Sequence, residues 1–223
     1  MSVYFITSCG TDIGKTFITT ALCWHSRRIG NTVQAIKPVV SGWDNAWERD
    51  TCKIIRSLGL GVTESSIEAV SPWRLAQPRT PSVAASMLGE SIEYKDVLSF
   101  CAKVCANPCD YTFIEGTGGV MSPITRNSTA LDLIKDLESK VILVIGSYLG
   151  CISHTFTALE VLKDRKVRIV MTLKEENDVY SDDIISSVRE FYGQEVYVQQ
   201  YVNRNGSTPW VYTSPEIVNF IES

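Results

Sequence analysis

The stretch ITSCGTDIGKT, residues 6–16, decides the fold. It continues the apolar run VYFITS (3–8) and leads into TFITTALCWHSRRIG (16–30), whose apolar spacing is typical of an amphipathic helix. Its end matches the phosphate-binding motif G-x-x-x-x-G-K-[ST], although Cys9 stands where the motif has its first glycine. Because strand, loop and helix agree, the sequence favours a nucleotide phosphate site over a glycine-containing turn with an exposed lysine.

Short apolar runs alternate with longer helical patterns along the rest of the chain. The runs predict buried strands at 3–8, 33–39, 111–116, 141–146 and 167–173, helices at 16–30, 94–106, 153–164 and 181–193, an edge strand at 195–202 and a closing helix at 214–222. Gly30 and Gly193 are predicted helix stops. This alternation predicts an α/β fold with a doubly wound, mostly parallel sheet and helices on both faces.

Length and composition fit one such domain over residues 1–223, since 44% of the residues are hydrophobic. The net charge of -4 argues against a nucleic-acid partner. No run of 18 apolar residues is present, so no membrane partner is expected. The first residues are typical of a buried strand rather than a signal peptide.

The seven cysteines, without an export signal, predict reduced thiols in a cytoplasmic protein. Cys101, Cys105 and Cys109 are spaced four residues apart, as metal ligands on one helix face could be. Pro108 interrupts the helix that would align them, so core packing is the favoured interpretation.

Polar residues follow the predicted strands, at the sheet edge where ligands of such folds bind. Lys15 is expected to reach the β- and γ-phosphates, and the Thr16 hydroxyl to ligate Mg²⁺. Lys37, at the end of the second strand, would offset negative charge there, although alone it could be an exposed lysine. Ser41 and Gly42 supply a hydroxyl and a flexible turn suited to a small polar ligand.

Two further strand ends carry candidate site residues. Glu115 ends a buried strand, so a cation is expected beside it; Mg²⁺ held by Thr16 is favoured over a hydrogen-bonded structural glutamate. Asp50 is a possible second carboxylate, although its polar surroundings favour a solvated side chain. The stretch GSYLGCISH (146–154) precedes a helix with Ser153 as predicted cap; an anion site and a plain capped helix with a buried thiol both remain open.

Several motifs, taken together and in order, resemble the dethiobiotin synthetase family, which closes the ureido ring of dethiobiotin at the expense of ATP. They are TDIGKT, KPVVSG, SPWRLAQPRTPSVAA, IEGTGG and ILVIGSYLGCISH. The family's loop also departs from the standard spacing, with a Thr-acidic pair before its glycine and lysine, here Thr11 and Asp12. Ser8 stands where glycine is common, and Asp12 where glutamate is common.

The resemblance implies roles for individual residues. Mg²⁺ ligands would be Thr16, Asp50 and Glu115. Catalytic residues would be Lys15, Lys37 and Thr11. Nucleotide-binding residues would be Asp12, Ile13, Gly14, Lys15, Thr16, Phe17, Asp50, Glu115, Gly116, Thr117 and Gly118. Substrate-binding residues would be Thr11, Lys37, Ser41, Thr80, Pro81 and Gly118, with Gly150, Cys151 and Ser153 contributed by the second chain of a homodimer.

The implied reaction joins 7,8-diaminononanoate and CO₂ in the presence of ATP and Mg²⁺. One amine takes up CO₂ as a carbamate, the carbamate attacks the γ-phosphoryl group, and the second amine displaces phosphate to close the ring. Such a reaction needs positioning and charge neutralisation more than a covalent nucleophile. Lys15, Lys37 and Mg²⁺ would supply that neutralisation.

The last third of the chain resembles the family less. Thr172 stands where relatives carry a base-reading asparagine, and VQQYVNRNG (198–206) lacks their proline, so relaxed nucleotide preference is predicted. Two alternatives remain open. A regulatory, partition-type ATPase would carry a second lysine early in the loop, where this chain has Cys9-Gly10-Thr11. A degenerate family member would keep the fold without turnover.

Overall fold

The computed structural model describes residues 1–43, 50–202, 209–214 and 216–217. Its strands are β1 (Ser2–Ser8), β2 (Val33–Ile36), β3 (Val39–Ser41), β4 (Trp73–Leu75), β5 (Tyr111–Glu115), β6 (Lys140–Gly146), β7 (Val167–Thr172) and β8 (Val196–Gln199). Its helices are α1 (Lys15–Arg28), α2 (Asp50–Ser57), α3 (Glu64–Val70), α4 (Pro81–Met87), α5 (Tyr94–Cys105), α6 (Ala130–Asp136), α7 (Cys151–Val161) and α8 (Ser181–Tyr192). A short 3₁₀ helix spans Pro209–Tyr212.

Six strands form one sheet in the order β2-β5-β1-β6-β7-β8, and every pairing is parallel. Consecutive residues of a strand lie in different apolar clusters. Phe5 and Ile114 belong to one cluster, and their chain neighbours Ile6 and Phe113 belong to the other. Since side chains alternate across a strand, both faces of the sheet are covered. This confirms the predicted doubly wound α/β fold, including the edge strand β8.

The predicted strand at 33–39 is wrong in its second half. β2 ends at Ile36, and β3 pairs instead with β4 in a separate two-stranded parallel sheet. Pro38 lies between the two strands and has no backbone N–H to give to a ladder. The backbone N–H of Lys37 donates to Val70 O at 3.0 Å, outside the main sheet. The chain therefore leaves the sheet at Lys37.

Helix ends follow the predictions at two of three positions. Gly193 ends α8 with φ 62°, and Gly30 follows α1 with φ 97°, both in the left-handed region that favours glycine. The predicted cap at Ser153 is wrong, because α7 begins at Cys151 after Gly150, whose φ is 92°. Helices α2, α3, α4 and α6 were not predicted from periodicity. Most of the predicted closing helix at 214–222 lies outside the described residues.

Within the described ranges, no helix is both long and apolar enough to cross a membrane. All seven cysteines carry free thiols. Cys101 is fully buried on α5, whereas Cys105 and Cys109 are half-buried. The single-domain organisation stays a prediction.

Candidate active site

The phosphate loop joins β1 to α1 at the carboxyl edge of the sheet. Two of its residues have left-handed backbone conformations, Asp12 with φ 57° and Gly14 with φ 108°. A side chain at Gly14 would also meet Thr172, whose atoms lie 3.0 Å from the position of an added Cβ. Gly14 is the N-cap of α1 and provides no side-chain cap. The first amides of α1 are therefore suited to an anionic ligand.

Lys15 lies buried against the loop, with 7% of its surface exposed. Its ammonium group donates to Ser8 Oγ at 2.9 Å and to Gly10 O at 2.9 Å. Both of these partners are neutral oxygens. Burial, which disfavours the charged form, lowers the pKa of Lys15 to about 8. A bound phosphate would therefore supply the negative charge that is missing beside this ammonium group.

Lys37 meets two carboxylates on the other side of the site. Its Nζ lies 2.9 Å from Glu115 Oε1 and forms a second, short ion pair with Asp50 Oδ2. Burial alone would lower the pKa of Lys37, but the two carboxylates raise it above its ordinary value. Burial alone would raise the pKa of Asp50, and Lys37 instead holds it below its ordinary value. Lys37 and Asp50 therefore both favour their charged forms.

Thr16 and Glu115 connect the two sides. Thr16 Oγ1 donates to Glu115 Oε1 at 2.7 Å. The other oxygen, Glu115 Oε2, is buried and has no hydrogen-bond partner among the described residues. A buried carboxylate oxygen without a partner is costly, so the arrangement suits a cation at this point. In the described part of the chain, no three His, Cys, Asp or Glu side chains are grouped closely enough to hold a metal unaided.

The turn at 115–119 packs tightly against the first strand. An added Cβ at Gly119 would lie 3.1 Å from Ser8 O, and the amide of Val120 donates to Ser8 O at 3.0 Å. Gly118 has φ 75°, a conformation that side chains rarely adopt. Thr117 Oγ1 donates to Val39 O. The glycines therefore let this turn approach the phosphate loop.

A cavity of about 610 Å³ opens where these elements meet. Most of the predicted site residues line it: Thr11, Asp12, Gly14, Lys15, Thr16, Phe17, Lys37, Ser41, Asp50, Glu115, Thr117 and Gly118. The structure therefore brings the loop, the strand-end lysine and the strand-end glutamate into one site. Asp50, which the sequence favoured as solvated, contacts Lys37 through a side chain that is 43% exposed.

Other predicted residues do not line this cavity: Ile13, Gly116, Thr80, Pro81, Gly150, Cys151 and Ser153. The Ile13 side chain packs in the core, and Gly116 lies against the Phe5 ring. Thr80 and Pro81 begin α4. Cys151 is fully buried, and its thiol donates to Gly146 O at 2.8 Å. The resemblance assigns Gly150, Cys151 and Ser153 to the site of a second chain.

Sequence reasoning missed five lining residues. They are Thr20, Val40, Lys53, Pro209 and Trp210. Trp210 is only 2% exposed and belongs to the 3₁₀ helix that packs on α1. The sequence offered a signal for Pro209 and Trp210, because the resemblance implies a proline in this part of the chain.

Thr172 lies beneath the loop rather than open to the cavity. It is fully buried, and its hydroxyl donates to Ile13 O. Its side chain therefore supports the backbone turn before Gly14.

The chain is similar to known proteins in sequence and in fold. A family model described as an AAA domain matches residues 2–209. The ATP-dependent dethiobiotin synthetase of Methylobacterium nodulans is 41% identical over 161 residues, which cover 69% of this chain and 72% of that protein. The synthetase of Phenylobacterium zucineum is 40% identical, with 70% and 68% covered. That of Legionella pneumophila strain Paris is 37% identical, with 70% and 71% covered.

Solved structures share the fold at low identity. The MinD cell division protein of Aquifex aeolicus is 12% identical, with a TM-score of 0.60 over 100% of this chain and 97% of that one. A ParA family ATPase of Chlorobium tepidum is 13% identical, with a TM-score of 0.56 over 100% and 93%. These two show the fold alone. By its sequence relatives, the chain belongs to the ATP-dependent dethiobiotin synthetase family.

Proposed function

We propose that this protein forms dethiobiotin from 7,8-diaminononanoate, CO₂ and ATP, and releases ADP and phosphate. The observation that carries the proposal is the convergence of Lys15, Lys37 and Glu115 on one cavity beside the phosphate loop. A phosphate loop alone would serve many nucleotide-dependent proteins. Lys37 is a second buried lysine, and it lies between two carboxylates at the end of the next strand. In our proposal it also contacts the reacting anion.

The triphosphate lies along the loop in this proposal. The uncapped amides at the start of α1 bind phosphate oxygens, and Lys15 contacts the terminal phosphates. Lys15 suits this role because its two protein partners are neutral, so phosphate would be its counter-ion. Phe17, Pro209 and Trp210 line the cavity beyond the first turn of α1 and would contact the rest of the nucleotide.

A Mg²⁺ ion fits the oxygen atoms near Glu115. The unpartnered Glu115 Oε2, the Thr16 hydroxyl and the Asp50 carboxylate are the hard oxygen ligands that Mg²⁺ prefers. Two carboxylates and a hydroxyl leave room for phosphate oxygens and water, which such sites commonly keep. When bound, the ion would neutralise charge on the phosphates.

Lys37 and its neighbours position the second substrate. One amine of the diamine takes up CO₂ as a carbamate, and a carbamate oxygen attacks the γ-phosphorus as ADP leaves. The second amine then attacks the carbonyl carbon, and phosphate leaves as the ring closes. In our proposal Lys37 stabilises the carbamate and the transferred phosphoryl group, while the Thr11 and Ser41 hydroxyls orient the diamine.

The protein acts as a homodimer in this proposal, with the substrate carboxylate bound by Gly150, Cys151 and Ser153 of a second chain. The residue next to them, Leu149, is 82% exposed, so a charge introduced there would lie at the proposed interface without disturbing the core. We also propose a cytoplasmic location, which seven free thiols favour. Sedimentation of the wild type and of Leu149→Glu tests the dimer; a wild-type monomer would contradict it.

A coupled assay tests the function. Purified protein is incubated with the diamine, bicarbonate, Mg²⁺ and ATP, and both phosphate and dethiobiotin are measured. We expect the two products in equal amounts and no phosphate release without the diamine. Phosphate released independently of the diamine would favour the regulatory ATPase instead, and no turnover of either kind would favour a degenerate family member.

A further inference from the structure

Ser8 is a departure from the family's usual glycine, and the structure gives it contacts that a glycine cannot make. We propose that Ser8 is a positioning residue for Lys15. Its hydroxyl holds the lysine ammonium group so that one N–H remains directed to a phosphate oxygen of the nucleotide. This inference rests on the proposed function, because it takes the ligand of Lys15 to be the triphosphate.

Ser8, Gly10 and Lys15 form a closed set of hydrogen bonds. Ser8 Oγ accepts from Lys15 Nζ at 2.9 Å and donates in a short hydrogen bond to Gly10 O. The same carbonyl accepts from Lys15 Nζ at 2.9 Å, and the Gly10 amide lies 3.3 Å from Ser8 Oγ. Ser8 is fully buried, so water does not compete for these bonds.

The hydrogen bonds to Ser8 and Gly10 determine how many donors of the Lys15 ammonium group remain for a ligand. A lysine ammonium carries three N–H donors, and two are directed at Ser8 and Gly10. One is left for a ligand in the cavity that Lys15 lines. Without the Ser8 hydroxyl, a single carbonyl would hold the end of a flexible four-carbon chain. The lysine would then sample more orientations and meet the phosphoryl group less often in the reactive one.

Ser8 also connects the phosphate loop to the turn that follows Glu115. Its carbonyl accepts from the Val120 amide at 3.0 Å, and its hydroxyl lies 3.2 Å from Gly118 O. The residue therefore contacts both elements between which the phosphoryl group would be transferred. A displacement of about 1 Å between reacting groups can lower a rate by roughly 100-fold, so a residue that holds two such elements together affects turnover.

The experiment compares Ser8→Ala, Ser8→Thr and the control Thr7→Val. Thr7 is the preceding residue of β1 and is fully buried, and its hydroxyl has no hydrogen-bond partner among the described residues. Its replacement therefore removes a buried hydroxyl from the same strand without touching Lys15. We expect Ser8→Ala to lower kcat about tenfold with KM for ATP changed by no more than about threefold. Ser8→Thr restores most of kcat, and Thr7→Val behaves as the wild type.

Nucleotide binding provides a readout besides turnover. Calorimetry with a non-hydrolysable ATP analogue should show about threefold weaker binding to Ser8→Ala, whereas AMP, which lacks the terminal phosphates, should bind as to the wild type. Unchanged kcat in Ser8→Ala, equal loss of affinity for both ligands, or no rescue by Ser8→Thr would overturn the inference. If Lys15→Met is inactive while Ser8→Ala is normal, only this inference fails. If the wild type makes no dethiobiotin, the proposed function fails first.

Discussion

Lys15 and Lys37 are buried to the same extent, since each is 7% exposed. Their surroundings nevertheless shift their pKa values in opposite directions. Lys15 donates to two neutral oxygens, and burial lowers its pKa to about 8. Lys37 is paired with Glu115 and Asp50, and its pKa is raised despite its burial. Equal burial therefore does not give equal ionisation, because the partner atoms decide which form is favoured.

The difference suits two tasks in one site. A cation without a counter-ion attracts an anion from solution, since the anion recovers the free energy that burial of the charge has cost. A cation already paired with carboxylates gains less from an anion but fixes those carboxylates in place. We therefore expect Lys15 to contribute to nucleotide binding and to the positioning of the terminal phosphates, and Lys37 to the folded structure of the site and to the chemical step.

The largest effect is expected from Lys37→Met. It leaves Glu115 buried without its ion-pair partner, so the free energy of unfolding should fall by about 3 kcal/mol. Turnover should fall roughly 100-fold or more, whereas ATP affinity should change much less. Urea denaturation and steady-state kinetics with a bound-nucleotide assay measure the three quantities.

The double variant Lys37→Met/Glu115→Gln is the control for the stability effect. Removing both charges should recover much of the lost stability without recovering turnover. A single variant Lys37→Met as stable as the wild type would contradict the assigned pairing. Loss of ATP affinity with turnover of bound substrate intact would contradict the catalytic role of Lys37.

The second prediction is the matched change Lys15→Met. Since this lysine has no charged hydrogen-bond partner among the described residues, its removal leaves no buried charge unpaired. We expect the free energy of unfolding to stay within about 1 kcal/mol of the wild type or to rise, and ATP binding to weaken roughly 100-fold. A stability loss as large as that of Lys37→Met would remove the difference between the two lysines.

The sequence predicted the elements that place these lysines, but not the way they are partnered. The parallel sheet and the loop after β1 followed from apolar runs and turn chemistry, which are local properties. The pairing of Lys37 with Asp50 brings together residues 13 positions apart across a break in the sheet that only Pro38 signalled. The polar stretch around Asp50 favoured solvent because a local pattern holds no information about a distant cation.

The contacts of Ser8 and Thr172 show the same limit. Each is a hydroxyl at the end of a strand, and neither position carries a sequence signal for the backbone carbonyl that it meets. Trp210 lines the cavity from the far end of the chain, and its contact with α1 depends on the complete fold. The resemblance to the family identified most of the lining residues, because the motifs of a family mark positions that meet in its folded structure.

The third prediction concerns pH and separates the two lysines further. Lys15 binds phosphate in its charged form, which is the main form below its pKa of about 8 and is lost as the pH rises through that value. We therefore expect kcat/KM for ATP to be level below about pH 8 and to fall about tenfold per pH unit above it. Lys37 adds no limb in this range, since its carboxylates raise its pKa.

Measurement of kcat/KM between about pH 6.5 and 9.5 tests this prediction. The variant Lys15→Arg is the control, because arginine stays charged throughout this pH range and should therefore remove the fall in kcat/KM above about pH 8. Bound phosphates favour the charged lysine, so the corresponding limb in kcat should lie at higher pH. A level profile in the wild type would mean that Lys15 keeps its ordinary pKa.

The smallest effect is expected from a change of nucleotide base. Both lysines would act on phosphates, which ATP, CTP, GTP and UTP share, so the difference between the lysines is independent of the base. Phe17, Pro209 and Trp210 line the cavity mainly with apolar surface, which distinguishes bases less sharply than hydrogen-bonding groups do. We expect kcat/KM for the four nucleotides to lie within about tenfold of one another. Initial rates with each nucleotide measure this spread, and a strong preference for ATP would show that the base is read by polar contacts.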